Sequence, residues 1–163
     1  MAAPRGELGS FASLLDYPGP RSLQTAREVG PGRLGRFLDF LERSSPADAE
    51  TAYARAFDFE PSTCLDVGYH LFGDTSRRGL FLAGLKRLYA GAGYETGPEL
   101  PDHLPVMLRF LAAGTDFEER RELIDDCLVP AVAAIRRGLE RQGHPYADLF
   151  GALRDELAGE GRK

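Results

Sequence analysis

The chain has few residues that could do chemistry, and their spacing argues against most of it. Its three histidines, His70, His103 and His144, and its two cysteines, Cys64 and Cys127, are far apart in sequence. They form no CxxC, HxxxH or HExxH pair, so no metal site is expected. A cysteine nucleophile needs an exposed, electropositive setting. Cys64 is instead followed by Leu65 and Asp66 in an apolar helical pattern and reads as a packed thiol. No GxxxxGK loop occurs, and Gly91-Ala92-Gly93 follows a helical pattern rather than opening one, so no nucleotide or other cofactor is expected. The carboxylates Asp58, Glu60, Asp66, Asp74, Glu99 and Asp102 fall where caps and turns commonly place them. The adjacent Asp102 and His103 are the one pair on which a small all-α hydrolase could be built. A helix cap and its neighbour explain the same two residues more simply, and the chain is read as a non-enzyme with no catalytic residue.

The functional information lies in binding. In Glu99–Ala112, ELPDHLPVMLRFLA, Pro101, Asp102 and Pro105 have the signature of a helix start. Leu104, Met107, Leu108 and Leu111 then fall at i, i+3, i+4 and i+7, while Val106 and Phe110 widen the apolar surface. Such a helix is buried on more than one face, or it walls a groove. With the preceding Tyr69–Asp74, YHLFGD, it could form a groove for a helical peptide, with charges on the rim to fix direction. The candidate peptide-binding residues are Tyr69, His70, Phe72, Asp74, Glu99, Asp102, His103, Met107, Leu108 and Leu111, with Asp58 as a further rim charge. Ordinary core packing is the competing reading for each wall residue.

The elements that must position these residues are all helical. Periodicity and punctuation predict helices from Ser10 to Leu15, Ser22 to Val29, Arg33 to Ser44 and Pro46 to Phe57, the last with Ser45 as its cap. A central helix is expected over 61–72, apolar on almost every side, followed by one from about Ser76 to Gly93. Thr115-Asp116-Phe117-Glu118 has capping-box spacing and should open a helix that Pro130 kinks or breaks, continuing over 131–141. A final amphipathic helix begins at Tyr146. No segment alternates as a strand would, which predicts a single-domain all-α bundle of about seven to nine helices over 10–158, with flexible ends at 1–9 and 159–163.

At 163 residues, with 43% hydrophobic residues, the chain can bury a sizeable core. Its formal net charge of −5 repels phosphate backbones, which disfavours nucleic acid and leaves a helix-turn-helix DNA binder as the weakest reading. No apolar run approaches the ~18 residues of a membrane span, and no signal core precedes a cleavage site. A cytoplasmic protein with two reduced thiols and no membrane insertion is expected.

Taken together, Leu14-Leu15-Asp16-Tyr17-Pro18, Phe57-Asp58, YHLFGD, Arg78-Gly79 and ELPDHLP make the chain resemble the NarJ family, assembly chaperones of respiratory nitrate reductase also called its delta subunit. That family falls within the TorD/DmsD group of redox-enzyme maturation proteins. The resemblance runs over about residues 11–112 and then continues only in helical character. It implies an all-helical TorD-like fold and a partner, the N-terminal segment of the molybdenum-containing catalytic subunit, held open until its molybdenum cofactor is inserted. The chain departs from the family at Arg109, where an acidic residue is usual, and at its early end. A helical scaffold for some unrelated protein is the remaining alternative.

Overall fold

A computed structural model describes residues 7–114 and 116–161. The architecture is all-α: α1 (Leu8–Leu14), α2 (Ser22–Val29), α3 (Pro31–Leu34), α4 (Arg36–Arg43), α5 (Pro46–Phe57), a 3₁₀ turn (Pro61–Thr63), α6 (Val67–Phe72), α7 (Ser76–Gly91), α8 (Leu104–Ala112), α9 (Arg120–Glu122), a π turn (Leu123–Leu128), α10 (Val129–Arg141) and α11 (Tyr146–Glu160). Among the described residues the sole β pairing is an isolated antiparallel bridge between Asp66 and His103.

The centre of the bundle is α8, in which every residue except Arg109 is buried. It packs against α1, while α10 packs along α11, and the interlocked core runs from Leu8 to Leu157. This corrects the expectation of a central helix over 61–72. Pro61 opens only a 3₁₀ turn, capped by the Glu60 side chain, and Cys64–Asp66 are extended because their backbone pairs with 102–104. The helix beyond that pairing, α6, is short and only half buried, with Tyr69, His70, Leu71 and Phe72 all partly exposed.

Local chemistry explains several boundaries. Ser45 Oγ accepts from the Asp48 amide at 3.1 Å and Pro46 occupies the first turn of α5, as its sequence predicts. The single helix expected over 33–44 is divided at Gly35, whose φ of 51° and ψ of −124° break the spiral. Asp148 of α11 sets that break. Its carboxylate accepts from the Arg36 amide at 2.7 Å, capping α4 from another helix, and a Cβ on Gly35 would lie 2.6 Å from the same oxygen. Near Pro130 the chain does not break: a π turn over 123–128 leads directly into α10, so the missing proline N–H falls at a change of helical pitch. Ser10 lies inside α1 rather than capping it, because the helix begins at Leu8 with Glu7 before it. The expected capping box begins at Thr115, which lies outside the described residues, as do residues 1–6 and 162–163 of the expected flexible ends.

Candidate functional site

A concavity among the described residues begins where α5 ends. After Phe57 the chain turns tightly, with the amides of both Asp58 and Phe59 returning to the Ala54 carbonyl at 2.9 and 3.2 Å. Phe57 thereby stays in the core, while Phe59 stands 79% exposed. Glu60 Oε1 then accepts from the amide and hydroxyl of Ser62 at 3.2 and 2.9 Å, and the buried Thr63 hydroxyl donates to the Ala56 carbonyl. These bonds pin the 3₁₀ turn against the end of α5.

Beyond the turn, two extended stretches cross. The Val67 amide donates to the Asp102 carbonyl at 2.9 Å and the Leu104 amide to the Leu65 carbonyl at 2.8 Å. This pattern makes Asp66 and His103 a directly opposed pair whose side chains lie on one side. Two adjoining clefts, of about 300 and 260 Å³, open there and share Phe57, Asp58, Cys64 and Asp66. The first also reaches Phe59, Glu60, Pro61 and Tyr69. The second extends to Tyr53, Leu65, Glu99 and His103.

Four of the lining side chains, Asp58, Glu60, Asp66 and Glu99, are carboxylic acids, and no lysine or arginine lines either cleft. Among the described residues no salt bridge reaches Asp58, Glu60 or Glu99, and Arg78 comes only to 3.6 Å from Asp66. Like charges gathered in a concave, partly apolar surface produce a focused negative potential. Burial, and then the neighbouring Asp102, push the Asp66 carboxyl above the usual carboxylate range. Burial also pushes the Cys64 thiol up and the His70 imidazolium down. Cys64 is therefore a neutral thiol, and the neutral His70 ring donates from Nε2 to the Cys64 carbonyl at 2.7 Å. A thiol held neutral in this way is not activated as a nucleophile.

The residues proposed from sequence divide into three groups. Asp58, Tyr69, Glu99 and His103 line the clefts, and His70 supports the wall through Cys64. Met107, Leu108 and Leu111 have no exposed surface, because the stripe expected to wall a groove faces the core on every side. Phe72 packs on Phe81 with ring centroids 5.5 Å apart, and Asp74 lies in the exposed turn before α7. Asp102 is also fully buried and does not cap its own helix. Its Oδ2 accepts from the Gly68 amide at 3.0 Å, at the start of α6, and both oxygens engage Arg78, at 3.1 and 3.2 Å. With Asp102 turned to Gly68 and Arg78 while His103 lines the cleft, the hydrolase arrangement is not formed.

Sequence reasoning missed Tyr53, Phe57, Phe59, Glu60, Cys64 and Asp66 as lining residues. A signal was present in Phe57-Asp58-Phe59-Glu60-Pro61, where aromatic and acidic residues alternate just past a helix end and are closed by proline. Arg109, the departure noted in sequence, pairs with Asp16 of the segment after α1 and lines neither cleft.

The family model described as the nitrate reductase delta subunit matches residues 27–152. The chain belongs to that family. Among relatives of this delta-subunit member, the nitrate reductase molybdenum cofactor assembly chaperone NarJ of Escherichia coli (strain K12) is 34% identical over 161 residues, covering 90% of this chain and 67% of that protein. The probable NarJ of Bacillus subtilis (strain 168) is 31% identical over 153 residues, covering 91% of this chain and 77% of that protein. A probable chaperone NarW of Escherichia coli (strain K12) is 28% identical, covering 69% of this chain and 48% of its own. Within the described residues of this family member, no helix is long and apolar enough to cross a membrane.

Proposed function

We propose that this protein is a system-specific assembly chaperone for nitrate reductase. It binds the N-terminal region of the apo catalytic subunit in the cytoplasm and keeps that subunit competent for molybdenum cofactor insertion. Membership of the delta-subunit family supports this reading, as do relatives named as molybdenum cofactor assembly chaperones. The observation that carries it is the groove: exposed and half-buried aromatics, Phe59 and Tyr69, beside four carboxylates with no lining lysine or arginine. That surface suits a short amphipathic helix with apolar anchors and lysine or arginine on one flank. The mechanism needs no turnover. A chaperone that binds the immature conformer more tightly raises its population, and cofactor insertion reverses the preference and releases the chaperone.

Isothermal titration of the full chain with a synthetic peptide of the catalytic subunit's N-terminus tests the reading. Binding that weakens as salt rises is expected, because the contact is between opposite charges. Absence of binding across pH and ionic strength, together with failure of the chain to co-purify with the apo catalytic subunit, would overturn it.

A further inference from the structure

Behind the groove lies a charge arrangement that the groove lining alone does not explain. Among the described residues Arg78 is the one cation in a salt bridge with a lining carboxylate, Asp66, and it also faces the buried Asp102. Its Nε lies 3.1 Å from Asp102 Oδ2 and its Nη2 3.2 Å from Asp102 Oδ1. The same Nη2 is 3.6 Å from Asp66 Oδ2, outside hydrogen-bond length. The buried acid therefore holds the guanidinium on two prongs, and the groove acid receives only what remains. Gly68 makes the clamp possible: a Cβ there would lie 2.7 Å from Asp102 Oδ2 and 3.1 Å from Arg78 Cγ.

We propose that Asp102 is a positioning residue for client binding: by clamping Arg78 it withholds that cation from Asp66 and leaves the Asp66 carboxylate free for a cation on the incoming peptide. The inference rests on the groove being the client site. If Asp102 loses its charge, the Nη2 of Arg78 need move only about 0.8 Å to reach the ordinary length of a charge-assisted bond to Asp66. Asp66 would then be neutralised from within. The groups facing Asp66 are Arg78 on α7, Asp102 and His103 on the crossing stretch, His70 on α6, and the neutral Cys64 thiol. Only the first two change in the test.

Asp102→Asn keeps the shape and the acceptor for the Gly68 amide while removing the charge. Titration by calorimetry uses the catalytic-subunit peptide and the same peptide with every lysine and arginine replaced by glutamine. Asp102→Asn should weaken the cationic peptide about tenfold and leave the glutamine peptide unchanged, and adding Arg78→Met should recover the loss. Equal weakening of both peptides would reduce Asp102 to a structural role and overturn the proposal. A second readout needs no client. In the free protein, NMR titration should give the Asp66 carboxyl a pKa about one higher in the double variant than in Asp102→Asn alone, a tenfold change in proton affinity. Equal values overturn the charge sharing whatever the peptides do. Should the unaltered chain bind neither peptide and fail to co-purify with the apo catalytic subunit, the chaperone reading fails, and the titration still judges the clamp.

Discussion

Asp148 is half-buried on α11, yet it fixes where α4 begins. Because its oxygen takes the Arg36 amide, Asp148→Ala should cost about 1 kcal/mol of stability, the usual cost of losing a helix cap, read by urea denaturation. Gly35→Ala should cost more, about 1–3 kcal/mol, because it combines a positive φ with a Cβ driven against Asp148. Two histidines respond to pH. His144 Nε2 donates to the Ala52 carbonyl at 3.1 Å, and its imidazolium, like that of His70, is held below the ordinary value by burial. A lowered folded pKa favours the neutral ring. The stability the two rings contribute is complete above the ordinary imidazole value of ~6.5 and is lost as pH falls below it. Thermal midpoints should therefore drop between about pH 7 and pH 5, and His144→Gln should make that drop shallower.

Among the elements, the contrast between α8 and the turn after α5 decides where function is read. Met107 is fully buried in α8, so Met107→Ala should cost about 2–5 kcal/mol. Phe59 stands exposed at the groove mouth, so Phe59→Ser should change stability by no more than about 0.5 kcal/mol. If the groove is the client site, Phe59→Ser should weaken the catalytic-subunit peptide about tenfold, the scale of a moderate binding anchor. The sequence made helices with their own punctuation readable: α2 spans Ser22–Val29 as expected, and α5 starts at the serine cap that names it. It was silent where one segment's start is set by another. Nothing local in Arg33–Ser44 announces that Asp148 will interrupt it at Gly35, and nothing in 61–72 announces pairing with 102–104. The same reason hid half the groove. An apolar stripe such as Leu104, Met107, Leu108 and Leu111 has the same spacing whether it faces a ligand or its own core, and only tertiary packing distinguishes the two.

Across the whole molecule, the groove and the core are continuous through rings. Tyr53 and Phe57 line the clefts on one side, and on the other both meet Tyr146 edge to face at centroid distances of 6.1 and 5.0 Å, Tyr146 in turn meeting Phe37 at 4.7 Å. The Tyr53 hydroxyl also donates to the Leu15 carbonyl at 2.6 Å, tying this wall to the end of α1. The chain contains six tyrosines and no tryptophan. Tyr53 and Tyr69, the two that line the clefts, therefore emit without any internal indole to quench them. A client peptide carrying one tryptophan would accept their excitation energy on docking. The fall in tyrosine emission and the matching rise of the indole band would then report occupancy in a cuvette, with no dye attached to either molecule.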